Sequence, residues 1–249
     1  MQIVIDNIEQ FRNFFEVIYD SSSELLELQL YQDRMVCTVL DKTKTRFFHV
    51  VYESTFFDVY DVDDVESVVV FLDDMYKLLK SCNKKDTLMM EINDPYLSTK
   101  VMSENGNSRL FEFVLPTDFI DSPVPPHIEL PAVFEVGVGD LEQSVKDIEL
   151  IGSDLFTFVV SDDGLTVMTS PDVATRYANV INIDMENECG QISASFTLKF
   201  IKQMLGFKKI NKTVELKIGD SMPVFYTFKD NIMGVTVNGM IAPRISTEE

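Results

Sequence analysis

Histidine is nearly missing from this chain. Its 249 residues hold two, His49 and His127, too far apart to form a His-x-x-x-His ligand pair. No Gly-x-Gly-x-x-Gly loop, phosphate-cradling Gly-Lys-Ser/Thr loop or Gly-x-Ser-x-Gly elbow is present. The three cysteines, Cys37, Cys82 and Cys189, match no zinc or redox spacing, and an odd, scattered set reads as reduced thiols inside a cell. No apolar run approaches the roughly 20 residues a membrane-spanning helix needs. The N-terminus has no basic segment and soon meets Asp6, so no signal peptide is expected. The acidic run Asp61–Asp64 lacks the ligand spacing of a calcium loop and reads as a solvated turn. No catalytic residue, metal site or cofactor is expected, and nothing in the sequence asks for an enzyme.

Positive charge is also short. The chain has 21 Lys and Arg against 41 Asp and Glu, a formal net charge of -20. Taken alone, that balance argues against a polyanionic partner, because affinity for phosphate comes mainly from Lys and Arg. The placement of the cations changes the argument.

Proline, in contrast, is concentrated. Residues 116–131 hold Pro116, Pro123, Pro125, Pro126 and Pro131, five of the nine in the chain. Without backbone donors and with φ fixed, this stretch can be neither helix nor central strand, and it reads as an extended connector. The sequences on its two sides repeat each other. At an offset of 130 residues, Phe11, Phe15 and Ile18 meet Leu141, Val145 and Ile148, and Leu28, Leu30, Asp33 and Met35 meet Phe158, Val160, Asp163 and Leu165. At an offset of 126, Leu72, Met75, Leu78 and Leu79 meet Leu198, Ile201, Met204 and Leu205. A period this long marks a duplicated domain and not a solenoid. The expected division is residues 1–116, a connector over 117–131, and residues 132–249, each half long enough to bury its own core.

Apolar spacing predicts a helix from Asn7 to about Tyr19 with Ile8, Phe11, Phe15 and Ile18 inward. Further helices are expected over 68–82, 139–150 and 196–206. Strands are expected over 1–5, 26–30, 35–39, 47–52, 56–62, 87–92, 97–102 and 110–115, and again over 132–138, 155–160, 165–169, 176–185, 190–195, 214–218, 224–228 and 235–240. Asp162–Asp163–Gly164 reads as a hairpin turn. The four helices and their ends hold 11 of the 21 cations: Arg12, Lys77, Lys80, Lys84, Lys85, Lys146, Lys199, Lys202, Lys208, Lys209 and Lys212. This reads as a segregation of charge, with cations on helices and acids on strands and loops. For any single lysine, an ordinary solvated helix face is an equal reading.

Several short runs carry a family pattern: Phe57–Asp58–Val59–Tyr60, Lys77-x-x-Lys80, Ser153–Asp154 to Gly164–Leu165, Ser221–Met222–Pro223–Val224, and Met240–Ile241–Ala242–Pro243–Arg244–Ile245. In their order and spacing they resemble sliding clamps of the proliferating cell nuclear antigen family, over essentially the whole chain. The resemblance implies an α+β DNA clamp fold with two similar domains built of βαβββ repeats. It implies helices lining a hole, sheets outside, and three copies joined head to tail in a ring. It implies a homotrimeric processivity factor that encircles duplex DNA without reading its sequence. Its partners would be a clamp loader, DNA polymerase and other proteins bearing a short Gln/aromatic motif, with no membrane, inside the cell at DNA. The hole-lining cations would be Arg12, Lys77, Lys80, Lys146, Lys199 and Lys202. The ring joint would pair residues 108–115 with 176–183, using Ser108, Leu110, Phe111 and Phe113 against Arg176, Tyr177, Asn179 and Ile181; read without the resemblance, both segments could be internal strands. The partner pocket would use Leu40, Val124, Ile128, Pro223, Met240, Ile241, Ala242 and Pro243, of which Leu40 and Pro223 read equally as core. Lys42, Lys44 and Arg46 stand in a loop where the family has small residues and a His. An adaptor of the same fold, viral or paralogous, serving transcription or repair is the alternative, and an acidic enzyme with an unread site is the third.

Overall fold

The computed structural model describes residues 1–21, 23–117, 123–124, 128–161, 164–169, 175–185 and 190–244. The chain divides into two units. Unit 1 comprises Met1–Lys42, Phe48–Pro125 and Lys229–Val237, and unit 2 comprises Thr43–Phe47, Pro126–Phe228 and Asn238–Glu249. Residues 43–47 and 229–237 therefore belong with the opposite half of the sequence.

Unit 1 begins with β1 (Gln2–Ile5), α1 (Ile8–Ile18), β2 (Leu25–Leu30), β3 (Arg34–Leu40), β4 (Arg46–Glu53) and β5 (Val59–Asp61). It continues with β6 (Glu66–Phe71), α2 (Leu72–Ser81), β7 (Thr87–Asn93), β8 (Tyr96–Met102) and β9 (Ser108–Val114). One sheet runs in the order β5-β1-β7-β8-β9, all antiparallel, with Ile3 opposite Met90 and Lys100 opposite Leu110. Elsewhere β2 pairs β3 and β6, with Leu28 opposite Cys37 and Val68. The Asn7 side chain caps α1 by accepting from the Gln10 amide at 3.4 Å. Phe11, Phe14, Phe15, Tyr52, Phe56 and Phe57 form a continuous aromatic core, with neighbouring ring centroids 4.7–6.2 Å apart.

Unit 2 repeats the plan with β10 (Ala132–Gly137), α3 (Val138–Leu150), β11 (Leu155–Ser161), β12 (Gly164–Met168) and β13 (Ala178–Ile181). It closes with β14 (Ile192–Thr197), α4 (Leu198–Met204), a 3-10 turn over Leu205–Lys209, β15 (Thr213–Ile218), β16 (Val224–Asp230) and β17 (Val235–Ile241). A four-stranded sheet runs β13-β12-β11-β14, and β15 pairs both β10 and β16. Residues of β4, β16 and β17 fall in both units. The repeat is exact in its element starts. Those of β1, α1, β2 and β3 recur 130 residues later at β10, α3, β11 and β12, and those of β6, α2 and β7 recur 126 residues later at β14, α4 and β15.

Four expected elements differ. Residues 68–71 belong to β6: Val68 and Val70 are buried alternately, and a Val-Val-Val-Phe run suits a pleated strand better than a helix. Likewise Phe196 and Thr197 finish β14, and after seven residues α4 tightens into the 3-10 turn. The expected strand over 56–62 shortens to β5, because Phe56 and Phe57 turn into the aromatic core after a 3-10 turn at Ser54–Phe56. Over 176–185 only β13 forms, with Met185 making a single bridge to Phe134. Asp162, Asp163, Cys189, His127 and Ile245 lie outside the described residues.

Candidate functional site

In unit 1, α1 and α2 pack on each other; in unit 2, α3 packs on α4 and its 3-10 extension. These helical layers carry the cations singled out from sequence. Arg12 is turned inward, with its side chain 16% exposed. Its Nη1 donates to the Cys82 carbonyl at 3.1 Å and its Nε pairs with Glu16 at 3.4 Å. It fastens α1 to the end of α2 and offers little charge outward. Lys77 is exposed and paired with Asp73, whose carboxylate also accepts from Tyr19 Oη at 2.9 Å. The Lys77 ammonium, and then the Tyr19 hydroxyl, hold Asp73 below the usual carboxylate range, while Asp73 raises Lys77 and Tyr19 above theirs. Lys80 lies over the Tyr76 ring at 5.6 Å. Lys202 Nζ meets Glu149 at 2.6 Å, and Lys208 meets Glu142. Lys84, just past α2, reaches Glu9 on α1 at 2.9 Å. Lys199 and Lys146 are exposed, and among the described residues Lys146 has no ion-pair partner.

The element bounds correct the expected charge segregation. The four α-helices hold six cations but eight carboxylates, so their net charge is negative. Only the flanking turns, with Lys84, Lys85, Lys208, Lys209 and Lys212, shift the balance.

The helix pairs are clasped at matching repeat positions by different chemistry. Tyr19 and Tyr76 stack with centroids 4.1 Å apart, and the repeat equivalents are Glu149 and Lys202, which form an ion pair. Arg12 and Cys82 are matched by Glu142 and Lys208.

The two segments expected at a chain-chain joint are sheet edges. Among the described residues β9 pairs only β8, and β13 pairs only β12. Each edge exposes large apolar side chains: Leu110 (66%) and Val114 (59%) on β9, Val180 (69%) on β13. On the opposite face of β9, the Phe111 and Phe113 rings lie parallel 6.4 Å apart and, with Asp74, Lys77, Leu78 and Arg109, line a cleft of about 290 Å³ against α2. Tyr177 Oη and Asn179 Nδ2 donate to Ser144 Oγ at 3.3 and 3.1 Å, tying β13 to α3; Ser144 is fully buried and donates to the Asp140 carbonyl. Ile181 faces the core, and Arg176 and Ser108 are exposed.

Of the residues expected at the partner pocket, Leu40 and Val124 belong to unit 1 and Ile128, Pro223, Met240, Ile241, Ala242 and Pro243 to unit 2. Val124 and Ile128 are exposed; Leu40, Pro223, Met240, Ala242 and Pro243 are half-buried. Ile241 is 2% exposed and serves the core. Arg46 is buried: it donates to the Gln203 side chain and lies over the Phe200 ring at 4.5 Å, which leaves only Lys42 and Lys44 as exposed cations of that loop. Sequence reasoning passed over a cleft of about 300 Å³ in unit 1, lined by Gln29, Tyr31, Arg34, Thr38, His49 and Val124 among others. Burial lowers the His49 pKa, and its Nδ1 lies 3.0 Å from Thr38 Oγ1. The alternating outward positions of β2, β3 and β4 were the available signal. Among the described residues no group of three or more His, Cys, Asp or Glu is placed to hold a metal ion, and no helix is long and apolar enough to cross a membrane.

The doubled βαβββ plan, with paired helices and unpaired edge strands, defines the DNA clamp fold. Solved structures share it over nearly the whole chain. The PCNA2–PCNA3 complex from Sulfolobus tokodaii superposes with a TM-score of 0.83 at 19% identity, covering 98% of this chain and 99% of that one. The proliferating cellular nuclear antigen of Entamoeba histolytica gives 0.82 at 17% identity, covering 98% of each. No protein-family model matches. Curated relatives are similar in sequence over most of their length. The DNA polymerase sliding clamp of Methanothermobacter thermautotrophicus is 26% identical over 243 residues, 95% of this chain and 96% of that protein. DNA polymerase sliding clamp 3 of Sulfurisphaera tokodaii is 22% identical over 228 residues, 90% and 92%. In sequence this chain is similar to curated DNA polymerase sliding clamps, and in fold to solved PCNA structures.

Proposed function

We propose that this chain is a DNA sliding clamp that encircles duplex DNA and tethers DNA polymerase and repair proteins to it. The observation that carries the reading is the extent of the likeness: curated DNA polymerase sliding clamps match over 93–95% of this chain, and the fold is shared over 98% of it. The role is that of a scaffold without catalysis, acting at DNA inside the cell. Residues 1–116 and 132–249 form its two clamp domains, joined by 117–131.

Three copies join head to tail, the exposed edge β9 meeting the exposed edge β13 of the next copy. An unpaired strand edge with outward Leu110, Val114 or Val180 is a template for another strand, and unlike edges generate a heterologous, ring-closing contact. Lys77, Lys80, Lys146, Lys199 and Lys202 face the phosphates, and Arg12 supports Lys77 and Lys80 by holding α1 to the end of α2. Contacts to phosphate alone leave the ring free to slide. Polymerase and other partners dock by a short Gln/aromatic motif on Ile128, Pro223, Met240, Ala242 and Pro243 of unit 2, and a clamp loader opens the ring.

Primer extension on circular DNA tests this. Product length with a matching polymerase and loader should rise sharply when the chain is added, and sedimentation should give three times the monomer mass. A stable monomer that leaves processivity unchanged would sink the reading; a trimer without stimulation of any replicative polymerase would point to an adaptor.

A further inference from the structure

We infer that Asp73, Glu142 and Glu149 cap the affinity of the helical face for DNA by holding Lys77, Lys208 and Lys202 in intramolecular ion pairs. This rests on the reading that the helices face DNA. Two of the pairs cross from α3 to α4 and its 3-10 turn, so they are products of the tertiary fold and not of neighbouring positions on one helix. The third is reinforced: Tyr19 Oη holds Asp73 from one side while Lys77 binds it from the other. Lys77 is 68% and Lys202 61% exposed, and pairs so open to water are weak enough for a phosphate to displace. Displacement leaves a carboxylate without its partner a few ångströms from the backbone. That carboxylate takes up a cation as DNA releases one, so the entropic gain that drives phosphate binding shrinks. Of the five lysines in the helices Lys77 and Lys202 are held this way, and Lys208 joins them from the 3-10 turn. Lys80 and Lys146, with no acid partner among the described residues, would carry most of the unopposed contact.

The test uses the full chain, a fluorescent duplex and anisotropy titrations between about 50 and 200 mM KCl. Asp73→Asn, Glu142→Gln and Glu149→Gln are each expected to tighten binding by about 1.5- to 5-fold and to steepen the dependence of log K on log salt by up to about 0.9. Tyr19→Phe should move affinity in the same direction by a smaller factor, since it loosens Asp73. In a Lys202→Ala background, Glu149→Gln should lose its effect. An equal gain in that background would assign the acid a general repulsion and overturn the inference. So would amide variants that bind like the unsubstituted chain while Lys80→Ala and Lys146→Ala weaken binding, a result that leaves the DNA reading standing. If nothing binds at the lowest salt and the lysine variants are silent too, the DNA reading falls and the inference with it.

Discussion

Gly239 faces the ring of Tyr226. A methyl group there would sit 2.0 Å from Tyr226 Cζ and 2.2 Å from its Oη, far inside van der Waals contact. Tyr226 is buried against Phe207 and Phe228 and cannot swing away, so Gly239→Ala must move a packed aromatic cluster. The expected loss is about 1–3 kcal/mol, seen as a fall of several degrees in the melting temperature by circular dichroism. His49 makes stability depend on pH. Its folded pKa lies below the unfolded value of about 6.5, so between the two the unfolded chain binds more protons. Stability is therefore retained above the unfolded pKa and declines as pH falls from there toward the folded pKa. His49→Gln should flatten that part of a denaturation-midpoint-against-pH curve; an unchanged slope would assign the effect to other groups.

Among the elements, β9 and β13 allow the sharpest measurement. A charge placed outward on an unpaired strand opposes pairing without touching the core. Val180→Asp is expected to give monomers by sedimentation velocity with a wild-type circular dichroism spectrum. Ser144→Ala leaves the Tyr177 hydroxyl and the Asn179 amide without their acceptor, and it should weaken self-association through β13 less completely. The sequence disclosed most of this framework. The Asn7 cap, the inward faces of α1 and α3, and the offsets of 130 and 126 residues are local or periodic signals, and the elements start where they indicate. The start of α2 was hidden because Val68 and Val70 fit both a helical and an alternating pattern; packing beside β2 selects the strand. Arg12 read as a free cation because its acceptor, the Cys82 carbonyl, lies 70 residues away and is backbone. The pairs of Glu149 with Lys202 and Glu142 with Lys208 span 53 and 66 residues, beyond any local rule.

At the scale of the whole molecule, a net charge of -20 repels DNA at long range, so direct binding from solution should be slow and weak. Retention would come from closure of the ring and not from contact strength. Linearising a loaded circular template should release the protein much faster than raising salt on the intact circle, a comparison readable by gel filtration. The unlike clasps at equivalent positions have a separate consequence. Concentrated electrolyte screens Glu149 from Lys202 but leaves the facing rings of Tyr19 and Tyr76 untouched. The two helix pairs thus differ in their sensitivity to salt. In brine the second should breathe first, and amide deuteration would show α4 exchanging ahead of α2.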